Sequence, residues 1–271
     1  MPTPSDPSIS SIRYLPTNEA YDRWAAVYDT DGNFLQALDT IELRTLFPQF
    51  LQYITLPKPW RIVDLGCGTG RNTALLLTVP DIEEVIALDS SKGMLEVARS
   101  RLQQADDGAG LMNPVPPRTI PKLRLEVFDM LVSSSPPASA QQADGVISTL
   151  VVEHVPLPTF FSQVSQILKP GGVLLLTNMH AHMGGISQAG FVDRDTGEKI
   201  RPTSYAHTVA DMVAEASNWG LEVEYGEEED AGGIMERIVD ENMVEKLGPR
   251  SKKWIGVTVW LGGLFRKIAS T

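Results

Sequence analysis

The chain has 271 residues, of which 42% are hydrophobic and 21% charged, a balance that predicts one large globular α/β domain with a sizeable core. Its formal net charge of −11 opposes general binding to nucleic acid or anionic membranes, because both would repel it. A single cysteine, Cys67, excludes an internal disulfide. The sequence has neither a signal peptide pattern nor an apolar run of about 20 residues, so we expect a cytoplasmic protein.

The first 55 residues predict an arm followed by helices. Residues 1–17 are rich in proline and serine and have no periodicity, which is typical of a flexible N-terminal arm. Residues 18–55 place aromatic and apolar side chains at helical spacing, beginning with Tyr21, Trp24, Ala25 and Tyr28. We expect these helices to form a cover on a single domain that spans residues 18–271.

From residue 60 onward, strand and helix patterns alternate. The predicted strands are "WRIVDLG", "EEVIALD", "LRLEVFD", "ADGVIST" and "VLLLTN". The predicted helices are "NTALLL", "SKGMLEVARSRLQQ" with Ser90 or Ser91 as its N-cap, and "TFFSQVSQILK". Surface loops are expected over residues 105–121 and at "SSSPPASAQQ". Such alternation implies right-handed crossovers and a parallel sheet with helices on both faces.

The last third begins with a predicted insertion, residues 179–204. It contains a hairpin signal at "GFVDRDTGEKIRP" and several glycines that would let it move, so we expect a substrate lid; a hairpin that merely extends the sheet is the alternative. The elements expected after it are a helix ending at Gly220, a strand at "LEVEYGEE", a helix over "GIMERIVDENMVEKLG" and a final strand at "GVTVWLGGLFRK".

The glycine-rich turn "VDLGCGTGRN" follows a predicted strand and opens a helix. Its glycines would let a ligand approach bare backbone. Arg71 stands where a dinucleotide-binding turn requires glycine for close helix packing, and Asp64 would repel a pyrophosphate but attract a cationic amine. Both features oppose an NAD-dependent oxidoreductase. The alternatives are that Asp64 only caps the helix and that Arg71 is a solvated side chain.

Two further carboxylates end the next strands. Asp89 is placed to accept hydrogen bonds from ribose hydroxyls, and Asp129, after Phe128, to bind an adenine amine beside an aromatic wall. The alternatives are an N-cap for Asp89 and a loop turn for Asp129. An adenosine with a cationic amino-acid tail is one ligand that needs all of these features.

The segments "VDLGCGTG", "ALD", "VFDM", "VVEHV" and "LKPGG" resemble, in that order, the signatures of class I S-adenosylmethionine-dependent methyltransferases. The resemblance runs from about Tyr21 to Thr177 and is to the small-molecule branch that includes ubiquinone- and biotin-pathway enzymes. It implies a Rossmann-like, seven-stranded, mostly parallel sheet with an antiparallel last strand. It also implies that S-adenosylmethionine is bound by Tyr21, Tyr28, Asp64, Gly66, Gly68, Gly70, Arg71, Asp89, Ser90, Met94, Asp129 and Met130.

Methyl transfer from a sulfonium is an in-line displacement that requires a base when the acceptor is protonated. The candidate bases are His154, His180 and His182, which follow the fourth and fifth strands. His154 could instead be packed against the sheet. The other two form an i, i+2 pair without a third ligand at a recognisable spacing, so we expect no metal. Tyr205 and His207 read equally well as helix-cap and surface residues.

The function that this pattern favours is methylation of a small molecule in secondary metabolism, with an amide or amine nitrogen of a diketopiperazine-like compound as the first hypothesis. An amide nitrogen is a poor nucleophile, so that reaction needs a base. O-methylation of a phenol or carboxylate and a non-catalytic cofactor-binding partner remain alternatives. No "NPPY"-type segment follows the fourth strand, which argues against nucleic-acid targets. The sequence does not predict the oligomeric state.

Overall fold

The computed structural model describes residues 12–108, 121–224 and 233–269. Its strands are β1 (Ile12–Tyr14), β2 (Trp60–Leu65), β3 (Ile82–Asp89), β4 (Lys122–Val127), β5 (Ala143–Thr149), β6 (Leu168–Met179), β7 (Phe191–Val192), β8 (Lys199–Arg201), β9 (Leu221–Val223), β10 (Ile234–Ile238) and β11 (Thr258–Lys267). Its α-helices are α1 (Thr17–Trp24), α2 (Phe34–Tyr53), α3 (Arg71–Leu76), α4 (Lys92–Gly108), α5 (Leu157–Ile167), α6 (Ala181–Ile186), α7 (Val209–Asn218) and α8 (Glu241–Leu247). Short 3₁₀ helices cover Ala138–Ala140, Val152–His154 and Pro249–Trp254.

The large sheet has the order β10-β11-β6-β5-β2-β3-β4, with β9 also paired to β11. Strands β2 to β6 are parallel, and β11 is antiparallel to β6. β9 pairs with the end of β11 and β10 with its beginning, so the two short strands share one edge of the sheet. The described sheet of eight strands therefore occupies seven positions. The predicted Rossmann-like α/β fold is confirmed.

The helix predicted over "GIMERIVDENMVEKLG" is wrong in its first half. Ile234–Ile238 forms β10, and the helix that follows, α8, covers only Glu241–Leu247. The apolar spacing of this segment fits both a helix and a strand, and the hydrogen-bonding edge of β11 decides for the strand. Asp240 then caps α8, because its side chain accepts a hydrogen bond from the Met243 amide.

A second, small sheet has the order β1-β8-β7. The predicted hairpin is present as β7 and β8, and β1 runs parallel to β8. Part of the segment predicted as an arm is thus regular structure, because Ile12–Tyr14 finds hydrogen-bonding partners on the hairpin and α1 begins at Thr17. Residues 1–11, and most of the loop predicted over 105–121, lie outside the described residues.

A buried carboxylate joins α2 to the sheet. Asp39 is fully buried and accepts hydrogen bonds from Arg71 Nη2 (2.5 Å), Thr177 Oγ1 (2.6 Å) and Trp260 Nε1 (3.0 Å). A buried charge is tolerated when it is paired and hydrogen-bonded, so this network fixes α2 against α3, β6 and β11. No helix in the described ranges is long and apolar enough to cross a membrane.

Candidate active site

A cavity of about 690 Å³ opens where β2, β3, β4 and β5 end at their carboxyl termini. This edge of an open parallel sheet is where ligands bind in such folds. Residues around α1 form the wall opposite the strands. Of the predicted site residues, those that line this first cavity are Tyr21, Tyr28, Gly66, Gly68, Asp89, Ser90, Met94, Asp129, Met130 and His154.

The glycine-rich turn presents backbone to this cavity. Gly66 and Gly68 have φ values of 77° and 54°, a region that favours glycine. A Cβ on Gly66 would come within 2.3 Å of the Val151 side chain, whereas a Cβ on Gly68 would meet nothing within 4 Å. Gly66 is therefore needed for packing, and Gly68 leaves open space that a ligand can approach.

Asp89 connects this turn to the next strand. Its Oδ2 accepts a hydrogen bond from the Gly68 amide (2.8 Å), and its Oδ1 accepts one from the Ser91 amide (2.8 Å). Burial raises the pKa of the Asp89 carboxyl to about 6, although those two amides oppose the shift. The carboxylate faces the cavity and retains lone pairs that can accept hydrogen bonds from ligand hydroxyls.

Asp64, Gly70 and Arg71 line neither this cavity nor the smaller, second cavity that adjoins it. Asp64 is 1% exposed and accepts a hydrogen bond from Thr73 Oγ1 (2.6 Å), and burial raises the pKa of its carboxyl to about 7. Arg71 turns away to pair with Asp39 on α2, a partner that the local sequence pattern does not indicate. Gly70, with φ 80°, precedes α3 and packs against α4 instead.

His154 is the predicted base candidate that faces the first cavity. Its Nδ1 lies 2.7 Å from the carbonyl oxygen of Thr203, and its Nε2 lies 2.8 Å from the hydroxyl of Tyr21. A carbonyl only accepts, so Nδ1 carries the proton; in the neutral ring, Nε2 then accepts the hydrogen bond that Tyr21 donates. Tyr21 and His154 thus form a directed hydrogen-bonded pair.

The structure does not bring the other two base candidates to either cavity. His180 Nε2 pairs with Glu236 Oε1 (2.7 Å), and the Nδ1 atom of His180 accepts a hydrogen bond from the amide of His182. His182 Nδ1 lies 3.4 Å from the Thr258 amide. The two side chains therefore connect the start of α6 to β10 and β11. In the described part of the chain, no three His, Cys, Asp or Glu side chains are grouped to hold a metal.

A second cavity of about 190 Å³ adjoins the first and shares Tyr21, Tyr28 and Leu150 with it. Glu153 lines the second cavity while its neighbour His154 lines the first, because the 3₁₀ helix Val152–His154 turns consecutive side chains in different directions. The sequence pattern did not predict a role for Glu153, although this residue lies within "VVEHV". A carboxylate beside a candidate base in a short turn was the available signal.

Residues 17–33 form a covering segment that contributes to the walls of both cavities. Two aspartates that the sequence pattern did not single out hold this segment in place. Asp22 Oδ1 accepts hydrogen bonds from Ser91 Oγ (2.6 Å) and the Gly93 amide (2.9 Å) at the start of α4. Asp29 accepts hydrogen bonds from Thr69 in the glycine-rich turn (3.0 Å) and from Arg101. Trp24 of α1 stacks on Phe191 of the hairpin, with ring centroids 5.0 Å apart, so the hairpin also contacts this segment.

Comparisons with known proteins show the family of the chain. A family profile described as "Methyltransferase domain" matches residues 63–176. The uncharacterized methyltransferase AN0656 of Emericella nidulans is 47% identical over 270 residues, which cover 93% of this chain and 91% of the relative. The chain therefore belongs to the class I S-adenosylmethionine-dependent methyltransferases.

A more distant relative and a solved structure are also similar to the chain. The trans-aconitate 2-methyltransferase of Methylobacterium radiotolerans is 28% identical over 190 residues, which cover 63% of this chain and 64% of the relative. The DhpI–SAH complex has the same fold, with a TM-score of 0.58 at 18% identity over 93% of this chain and 95% of that one. The protein is an enzyme of this family, and its cofactor is S-adenosylmethionine.

The first cavity fits this cofactor on its own chemistry. Asp89 presents a carboxylate that can accept hydrogen bonds from hydroxyl groups, and the backbone at Gly68 has open space beside it, as an adenosine with an amino-acid tail requires. Phe128 and Met130 supply apolar surface beside Asp129 at the end of β4. Thr17 Oγ1, at the start of α1, is buried without a hydrogen-bond partner among the described residues, so this wall retains an unused polar group.

Proposed function

We propose that the protein transfers the methyl group of S-adenosylmethionine to a small-molecule acceptor whose nitrogen or oxygen carries a proton, with Tyr21 and His154 removing that proton. The observation that carries the proposal is the 2.8 Å hydrogen bond between the Tyr21 hydroxyl and His154 Nε2, on a tyrosine that borders both cavities. The bound cofactor supplies an activated methyl group on a sulfonium sulfur.

For cofactor binding, we assign the ribose to Asp89 and the adenine to the wall formed by Asp129 and Met130. The backbone of Gly66 and Gly68 would hold the amino-acid part, and Ser90, Met94, Tyr21 and Tyr28 would complete the walls, since all of these residues line the first cavity. Arg71 and Asp64 would act indirectly, by holding α3 and the glycine-rich turn in place.

The proton would move along the pair in one direction. The acceptor's proton passes to the Tyr21 oxygen as the Tyr21 proton passes to His154 Nε2, and the lone pair released on the acceptor forms the new bond to the methyl carbon. The bound cofactor would supply the methyl carbon, and its sulfur would retain the electron pair of the broken carbon–sulfur bond. Burial raises the pKa of Tyr21 well above its usual value, so a free phenolate is disfavoured and the two proton transfers should be concerted. Glu153 Oε1 lies 3.9 Å from His154 Nε2, the atom that would take up the proton.

Base assistance favours an amide or amine nitrogen, or a phenol, over a carboxylate acceptor, which is already deprotonated at neutral pH. A diketopiperazine-like compound of secondary metabolism remains the first candidate. Carboxylate methylation is the alternative, because five relatives are named trans-aconitate 2-methyltransferase. The net charge of −11 supports a small molecule rather than nucleic acid, and we propose that the reaction takes place in the cytoplasm.

The test is a screen of small-molecule extracts with labelled cofactor, in which products are detected by label and by the mass gain of one CH₂ group. The wild type should label an acceptor. Tyr21→Phe, which keeps the ring and loses the hydroxyl, should label it about 10²–10⁴-fold more slowly. Tyr205→Phe, a tyrosine that lines neither cavity, is the matched control and should retain the wild-type rate.

Two results would contradict the proposal. Cofactor binding without transfer to any acceptor would instead support a non-catalytic, cofactor-binding partner protein. Full turnover by Tyr21→Phe would remove the base role of the tyrosine–histidine pair while leaving methyl transfer intact.

A further inference from the structure

We propose that the second cavity is the acceptor site and that it binds the acceptor through a cationic amine group. This inference rests on the proposed function, because it names the chemical class of the molecule that would receive the methyl group. The supporting observations are acidic side-chain oxygens without hydrogen-bond partners among the described residues, and aromatic side chains. Both come from residues that line the second cavity.

Glu153 is the central group. The residue is 3% exposed, and its Oε2 atom has no hydrogen-bond partner among the described residues, although it lines the second cavity. A buried carboxylate oxygen without a partner has a high free-energy cost. A ligand that donates a hydrogen bond or brings positive charge to Oε2 would offset that cost.

Two more residues that line the same cavity carry buried acceptor atoms. Asp31 uses Oδ2 to accept a hydrogen bond from Trp24 Nε1 (2.8 Å), but its buried Oδ1 has no partner in the described part of the chain. Gln188 Oε1 is likewise buried and unpaired within those residues. The lining residues thus hold three buried acceptor atoms without partners among the described residues, a set that the N–H donors of an ammonium group could satisfy.

The walls favour the same charge. Aromatic rings surround the acidic groups, and the residues that supply them are Tyr21, Trp24, Tyr28, Phe34, Phe191 and Trp254. Aromatic faces attract organic cations, and this attraction strengthens where water is excluded. Carboxylates together with several aromatic rings form a site for an amine, whereas a carboxylate ligand would be repelled by Glu153 and Asp31.

Positive side chains lie at the outer end of the cavity. Arg250 and Lys253 are both exposed; Arg250 donates to the carbonyl oxygen of Asp31, and Lys253 lies 5.2 Å from the Trp254 ring. The carboxyl of Glu153 is thus buried while these two basic side chains are exposed, an arrangement that favours an amine oriented towards Glu153. A volume of about 190 Å³ lies below the ~300–1,000 Å³ typical of ligand pockets, so only a small amine or the amine end of a larger molecule fits.

The experiment measures binding by calorimetry to the full-length protein saturated with S-adenosylhomocysteine, which has no methyl group to transfer. Three probes of similar shape are compared: benzylamine, benzyl alcohol and benzoate. Benzylamine should bind at least tenfold more tightly than benzyl alcohol. Glu153→Gln should weaken benzylamine binding by roughly 10–100-fold, the loss expected for a hydrogen bond to a charged group.

Asp31→Asn should produce a smaller loss of benzylamine affinity and is the second variant, should Glu153→Gln not fold. Glu245→Gln removes the same charge from an exposed site outside both cavities and should change nothing. In every variant, S-adenosylhomocysteine should bind with wild-type affinity. Tighter binding of benzoate than of benzylamine would overturn the amine assignment, as would benzylamine binding that is unchanged in both cavity variants.

Failure of the proposed function would look different. If benzylamine binds as expected but no extract component is methylated, the amine-binding site is supported and the proposed methyl transfer is contradicted. If extracts are methylated with the expected dependence on Tyr21 but benzylamine does not bind, the reaction stands and the amine site falls.

Discussion

The cofactor side and the acceptor side of the site are built in different ways. The cofactor side comes from the ends of consecutive parallel strands, and its residues follow one another in chain order, from Gly66 to Met130. The acceptor side is assembled from α1, the turn at Glu153, the hairpin strand β7 and the 3₁₀ helix Pro249–Trp254. A sheet edge therefore defines the first cavity, and packing between distant segments defines the second.

This difference has a consequence for function. Substitutions in the lining of the second cavity can leave the cofactor cavity unchanged, because the lining residues that the two cavities have in common are Tyr21, Tyr28 and Leu150. Specificity for the acceptor should therefore reside in the remote segments. Substitutions on the two sides should separate turnover from cofactor binding.

The largest effect is expected from His154→Gln. A glutamine amide cannot take up the proton that Tyr21 passes on, so kcat should fall by about 10²–10⁴-fold. Cofactor affinity should change little, which is measured by calorimetry beside steady-state kinetics. His207→Gln is the matched control, since His207 bonds to the Val155 carbonyl and lines neither cavity. A normal kcat in His154→Gln would place the base elsewhere.

Asp89→Asn should have its main effect on the other side of the site. Replacement of the charged acceptor by an amide should weaken cofactor binding by roughly 10–100-fold, with a smaller change in kcat at saturating cofactor. Glu96→Gln, an exposed carboxylate on α4, provides a control with the same charge change. Unchanged cofactor affinity in Asp89→Asn would contradict the ribose assignment.

A pH experiment tests the burial of Asp64. Because its pKa is about 7 in the fold and 3.8 for an ordinary aspartate, the folded protein binds more protons than the unfolded chain between these values. Asp64 should therefore stabilise the fold below pH 4 and lose this contribution as the pH rises to about 7. Asp64→Asn should remove up to about 1.4 kcal/mol per pH unit from the slope of the unfolding free energy.

Denaturant unfolding at several pH values measures this slope. The difference between variant and wild type matters, since other carboxyls, such as Glu84 with its pKa lowered to about 2, contribute equally to both. Parallel pH profiles for the two proteins would show that Asp64 is ionised in the fold.

The smallest effect is expected from Asp29→Asn. This change weakens the contacts of the covering segment with Thr69 and Arg101. The ion pair between Asp29 and Arg101 is partly exposed, so it stabilises the closed segment by at most about 1 kcal/mol. Cofactor dissociation followed by stopped flow should accelerate by a few-fold, while kcat changes little. Asp211→Asn on α7 serves as the control. A dissociation rate equal to that of the wild type would mean that Asp29 does not hold the cover.

The sequence was informative where local pattern determines geometry. Strands, turns and carboxylates that recur in chain order predicted the sheet and placed Asp89 and Asp129 at its edge. It was uninformative where a partner lies far along the chain: Arg71 turns to Asp39, and His180 to Glu236. Glu153 was missed for the same reason, because its role depends on side chains from α1 and from the end of the chain.

The position of Tyr21 and Tyr28 also bears on the kinetic order of the reaction. Both tyrosines belong to walls of both cavities, and the segment that carries them is attached beside the cofactor by Asp22 and Asp29. We expect exchange of the cofactor to require a movement of this segment that also disrupts the acceptor cavity. We expect compulsory-order kinetics, in which the cofactor adds first and its demethylated product leaves last, so that this product inhibits competitively against the cofactor and non-competitively against the acceptor.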